Sequence, residues 1–217
     1  MLYLIKGCDD LKKFTDIFLR AILTGFAIGI GGIVYLSCDN RYIGSFLFGT
    51  GLFVILSFGF NLFTGKVGYA VENKPSYIID LFVIWLGNLA GTAATGGLIL
   101  LTRAASSISE KAAGLCDTKL SDGLLSILVL SFFCGMLMFI AADGFKKIEN
   151  PVGKMLVIFL PVMVFILSGF EHCVANMFYF TAGMSWSLKA FGYLLVMSLG
   201  NAIGGMFIPF VRKWFVS

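Results

Sequence analysis

A chain of 217 residues in which 59% are hydrophobic and only 13% charged cannot coat a water-facing globule, because a soluble domain of this size carries about a quarter charged residues. Each membrane crossing takes roughly 20 mostly apolar residues, so the length holds six or seven crossings with short loops and leaves no room for a separate soluble domain. Residues 1–217 read as one transmembrane unit, and the formal net charge of +4 gives no reason to expect a nucleic-acid partner.

Taken from the N-terminus, residues 1–13 mix apolar and charged side chains. That pattern suits a short helix lying at the membrane surface, and equally a partly ordered leader. Six apolar spans follow, at about 17–38, 45–71, 77–102, 122–143, 154–180 and 187–211, with Arg103 to Ser121 as the longest polar loop between them. No stretch has the cleavage site of a signal peptide, so the first span is expected to serve as an uncleaved insertion signal. Six spans put both ends on one side. Eleven lysines and arginines fall on that side and five on the other, so the positive-inside rule places both termini in the cytoplasm, for a multi-pass protein of the cell (inner) membrane.

In the first span the run Gly25 to Gly32 lies inside an apolar helix and follows no strand, which makes it helix packing and not a dinucleotide loop. The second span is interrupted by the polar, glycine-bearing stretch Phe60-Asn61-Leu62-Phe63-Thr64-Gly65-Lys66. The third carries Gly87-Asn88-Leu89-Ala90-Gly91, and the sixth answers with Gly200-Asn201-Ala202-Ile203-Gly204 at an offset of 113. Glycines four apart share a helix face and allow close contact between helices. Asn88 and Asn201 on those faces are expected to act mainly as hydrogen-bonded glue, with holding the interrupted segments as the lesser reading.

The fifth span contains Gly169-Phe170-Glu171-His172-Cys173-Val174, which matches Gly59 to Thr64 of the second at an offset of 110. Two matches at nearly one offset predict two halves of three spans each, about 14–102 and 122–211. Three crossings per half force the second copy to run in the opposite sense, the inverted repeat common in transporters and channels. Irregular backbone at membrane depth survives only where protein or water satisfies it. Half-helices starting there would direct positive N-terminal dipoles at the centre, which favours an anion.

Glu171 and His172, the only histidine, are ionisable groups at a depth where such groups line a cavity, a partner or a transport path. Neighbours on a helix point about 100° apart, so Glu171 is expected to turn from the pore and bind backbone N–H groups of the broken segment. His172 fits a pore-lining imidazole, with an ordinary pKa of about 6.5, and also a buried histidine satisfied by Glu171 or a carbonyl. Cys8, Cys38, Cys116, Cys134 and Cys173 show no CxxC or His-spaced pattern, so no metal or cofactor is expected. Lys154 and Lys119 are expected to be solvated or snorkelling in preference to concentrating anions.

The strings GFEHCVANMF and NLFTG, with the paired Gly-Asn motifs, resemble the formate/nitrite transporter family over about residues 14 to 211. The resemblance implies an all-α, aquaporin-like membrane protein of six transmembrane helices, the second and fifth broken, assembled as a homopentamer with a pore in each protomer. It implies passage of formate, nitrite or hydrosulfide and no enzymatic activity. By the same resemblance His172 is the central pore histidine, Leu62 and Thr64 belong to the loop that breaks the second helix, and Phe165 and Leu52 form apolar constrictions. Asn176 and Asn201 are polar positions near the histidine, while Glu171, Asn88, Gly65 and Gly169 support the site.

Helical spacing would set Phe165 two turns from His172, at heights about 10 Å apart. Ordinary core packing explains Phe165 and Leu52 as well. Three positions depart from the family pattern: Cys134-Gly135 where a Cys-Asn pair is typical, Asn61 where an acid is expected, and Phe60 where a small residue is expected. These departures tilt the substrate towards hydrosulfide. The alternative function is a pore for neutral solutes such as water or glycerol, which would not need an ionisable group beside Thr64.

Overall fold

A computed structural model describes residues 2–215, and among these there is no strand. Nine helices follow one another: α1 (Leu2–Ser37), α2 (Arg41–Ser57), α3 (Phe63–Lys66), α4 (Tyr77–Ile99), α5 (Ala105–Ser121), α6 (Leu124–Lys147), α7 (Pro151–Leu167), α8 (Cys173–Ala182) and α9 (Leu188–Phe215). A 3-10 segment, Val67–Val71, continues α3. The part of α1 from Leu11 onward, α4, α6 and α9 are each long and apolar enough to cross a membrane. The other two expected spans are each split in two, as α2 with α3 and as α7 with α8. α1 runs on from Leu2 without a break at Lys13.

The two splits are built alike. Asn40 and Asn150 cap the N-termini of α2 and α7, each side chain accepting two backbone N–H groups, the geometry that makes Asn a favoured first-turn residue. At the far ends Phe60 N–H bonds to Ile55 O and Phe170 N–H to Phe165 O, 2.8 and 2.9 Å, around Gly59 at φ +67° and Gly169 at φ +71°. This is the glycine-bearing Schellman stop, and a side chain in that left-handed conformation costs about 1–2 kcal/mol.

Packing is paired in the same way: α1 lies against α4 and α2, α6 against α9 and α7, and α2 meets α7 between them. The glycine pairs permit the two tightest crossings. A Cβ on Gly91 would overlap Ile22 O, and one on Gly204 would overlap Phe132 O. In the run from Gly25, Gly29 meets the Thr95 side chain and Gly32 the Phe178 ring.

Side-chain contacts tie the helix ends into two faces. On one, Lys13 reaches Asp80 at 2.9 Å and Arg212 reaches Asp143 at 3.0 Å, while Lys213 donates to Val71 O at 2.8 Å. The first described side chains of α1 and the end of α9 therefore share a face. On the other, Arg41 donates to Ile166 O and Leu167 O, and Tyr193 donates to Asp122 O.

The long loop expected from Arg103 to Ser121 is instead the helix α5. Its polar composition hides a short apolar stripe, Ile108, Ala112 and Cys116, four residues apart and fully buried. That stripe docks α5 on α8 and α1, and helices form on such a stripe even when their other faces are polar.

Candidate functional site

The interruptions meet inside the molecule, and one asparagine ties down each. Asn88 Oδ1 accepts Phe63 N–H at 2.9 Å, and its Nδ2 donates to Asn61 O at 2.8 Å and Ala21 O at 2.9 Å. Asn201 does the same on the other side: Oδ1 accepts Cys173 N–H at 2.8 Å, and Nδ2 donates to Glu171 O at 2.8 Å and Ser131 O at 2.7 Å. Each amide thus satisfies the carbonyl two residues before a half-helix and the first N–H within it, using both of its N–H donors. The expectation of glue between helices is only half the account, because these side chains also replace the missing helix bonds of the broken segments.

His172 caps α8. Its Nδ1 accepts Ala175 N–H at 3.0 Å, and its Nε2 lies 2.9 Å from Thr64 Oγ1. A ring nitrogen that accepts from an amide carries no proton, so this network assigns the neutral Nε2–H tautomer, with Thr64 Oγ1 accepting. The ring is 2% exposed. Neither Glu171 nor a carbonyl bonds to it: its partners are Thr64, from the first broken segment, and the start of α8. Phe165 stacks on the imidazole with ring centroids 5.5 Å apart and receives Phe48 edge-on at 5.8 Å.

The expected separation of about 10 Å for Phe165 and His172 fails, because Ser168 to His172 is a turn and not helix. Gly169 reverses the chain and carries the imidazole back beside the last turn of α7. The dipole expectation also needs amending. The N–H groups of Cys173, Ala175 and Asn176 are taken by Asn201, His172 Nδ1 and His172 O, and the imidazole Nε2 faces Thr64.

Glu171 departs most from expectation. Its carboxylate accepts not backbone N–H groups but Lys119 Nζ, at 2.9 and 2.7 Å, and Asn176 Nδ2 at 2.7 Å. The Lys119 and Glu171 side chains are only 14% and 5% exposed, so Lys119 is a buried partner and not a solvated or snorkelling lysine. The reason is α5, which brings its last turn down onto the break. Asn176 also donates to Met197 Sδ at 3.1 Å, and its Oδ1 is buried without a hydrogen-bond partner.

Leu62 and Gly65 line a cavity of about 110 Å³ with Ile55, Lys66, Phe145 and Lys146. Leu52 is buried on α2, one turn before Ile55. Toward the opposite face a cavity of about 450 Å³ is lined by Tyr35, Leu36, Arg41 and, from α5, Lys111, Gly114 and Leu115. The pairing of Lys119 with Glu171 and the role of Arg41 were not foreseen from sequence. The spacing of Ile108, Ala112 and Cys116 was the one signal that α5 could deliver a lysine; nothing local marks Arg41 as a cap on α7.

Paired broken segments among long apolar helices, each closed by an asparagine and joined by a histidine–threonine contact, define a helical membrane transport protein. The profile of the formate/nitrite transporters matches residues 9–215, and the chain belongs to that family. It is 28% identical over 259 residues to a probable formate transporter of Methanothermobacter thermautotrophicus, covering 97% of this chain and 94% of that one. It is 26% identical over 188 residues to the formate channel FocB of Escherichia coli, covering 77% and 66% respectively. Its fold is that of a solved pentameric formate channel with formate bound, at a TM-score of 0.78 and 23% identity, with 94% of this chain and 98% of that one covered.

Proposed function

We propose that this chain is a channel for small monovalent anions, with formate the first to test, and that each protomer conducts through the passage between its two broken segments. The observation that carries the reading is the 2.9 Å contact of Thr64 Oγ1 with His172 Nε2, the one place among the described residues where the interruptions exchange a side-chain hydrogen bond. A bare anion between apolar residues is strongly disfavoured unless donors replace its water. An arriving anion competes with Thr64 for the Nε2–H and leaves the threonine hydroxyl free to turn and donate as well. Leu62 on one side, and Phe165 with Phe48 on the other, would exclude bulk water, with Leu52 further along α2.

In this reading six crossings form two inverted halves, supported by the recurrence of caps, glycine stops and asparagine bridges about 110 residues apart. Five protomers assemble in lipid as in the solved relative, the face holding Lys13 and Lys213 is cytoplasmic, and the membrane is the cell (inner) membrane. The names of the relatives favour formate over the hydrosulfide that the sequence departures suggested; nitrite and hydrosulfide belong in the same panel. The test is flux into liposomes for formate, nitrite, hydrosulfide and glycerol. Monoanion entry without rapid glycerol entry is expected, and the converse would favour the neutral-solute pore.

A further inference from the structure

We propose that the face on which α9 ends holds a second site for a single small anion, formed by Lys66 and Lys146 with Arg20 at its rim, which loads the passage beside Thr64 and His172. The proposal rests on the pore reading above. Its ground is two lysines around one cavity, neither in an ion pair among the described residues, with a paired arginine at the rim. Lys66 and Lys146 both line the space of about 110 Å³ whose walls include Leu62 and Gly65, the residues two before and one after Thr64. A site for one water needs about 10–15 Å³, so the space admits a small anion with part of its water.

Among the described residues neither lysine forms an ion pair. Two neighbouring acids are already engaged: Asp143 by Lys147 at 2.8 Å and Arg212 at 3.0 Å, and Asp16 by Arg20 Nε at 2.9 Å. Lys146 instead sits 4.0 Å over the Tyr69 ring. The Arg20 guanidinium, held to Asp16 through Nε, keeps Nη1 4.0 Å from where a Cβ on Gly59 would stand, and Gly59 also lines the cavity.

The opposite face differs. Lys119 is paired with Glu171 at 2.7 Å and Lys111 with Asp39 at 3.6 Å, while Arg41 is bonded to the carbonyls that end α7. Uncompensated positive charge in a cleft with apolar walls focuses field and concentrates anions by roughly 10- to 1000-fold. On this face two lysines line a cavity whose walls include residues of the break, whereas Lys111, Lys119 and Arg41 of the opposite face are each held by a carboxylate or by carbonyls.

The test is a planar bilayer in which formate is presented to one face at a time. For the Lys66→Gln/Lys146→Gln double variant, the half-saturating formate concentration for entry from this face is expected to rise roughly tenfold. The Lys66→Arg/Lys146→Arg variant keeps the wild-type value, and high salt brings the wild type towards the Gln variant. Equal half-saturation in wild type and Gln variant overturns the site and leaves the pore reading standing; a wild type that passes no formate from either face overturns both. A shift seen only in bilayers containing anionic lipid would assign the lysines to a lipid phosphate and also overturn the proposal.

Discussion

At Glu171 a carboxylate lies where water does not reach, and its burial is tolerable because three N–H bonds from Lys119 and Asn176 converge on it. Removing one member of a buried pair costs on the order of 3–5 kcal/mol, because the other is left charged and dry. Lys119→Met is therefore expected to lower the unfolding transition of the detergent-solubilised protein sharply, and Lys119→Met/Glu171→Gln to recover most of the loss. Unfolding curves of the two singles and the double, run as a cycle, decide it. A Lys119→Met variant as stable as wild type would show that the pair carries little. Glu171 and His172 were legible in the sequence because ionisable groups stand out in an apolar stretch. Their partners were not: Lys119 is 52 positions away from Glu171, in what reads as a polar loop.

At the scale of elements, the broken helices stand on side chains that stand in for backbone. Asn201→Ala would leave Cys173 N–H and Glu171 O buried without partners, at about 1–3 kcal/mol for each group. The expected outcome is a large loss of stability, read by thermal unfolding, and a comparable loss for Asn88→Ala. Gly169→Ala, forced to φ +71°, is expected to cost about 1–2 kcal/mol, whereas an alanine at Gly192, where a Cβ meets nothing within 4 Å, serves as the neutral control.

The interruptions and their pairing could be read from Phe60 to Lys66 and Ser168 to Cys173, because polar and glycine residues break an otherwise uniform apolar run. α5 escaped because its buried stripe is three residues long. Burial in that stripe pushes the Cys116 thiol up to about 11 from its ordinary 9.0. Raised pKa keeps the protonated form across neutral pH, and the thiolate is the reactive species. Cys116 should therefore resist alkylation at pH 8 in the folded protein and react on unfolding, as mass spectrometry of labelled peptides would show.

For the whole molecule, Lys111, Lys119 and Arg41 of one face are held by carboxylates or carbonyls while Lys66 and Lys146 on the other form no ion pair among the described residues, and the two broken segments meet between the faces. Native mass spectrometry from detergent is expected to show five copies. Substrate choice was the least legible property in the sequence, since the departures at Gly135, Asn61 and Phe60 mark no particular anion. The measurement that tests the central claim most directly is formate flux into liposomes carrying wild type or His172→Phe at matched, folded protein density. Rapid formate entry with wild type, and at least a tenfold fall with the variant, is the predicted result. Unchanged formate flux in His172→Phe would contradict a passage through the contact of the two broken segments.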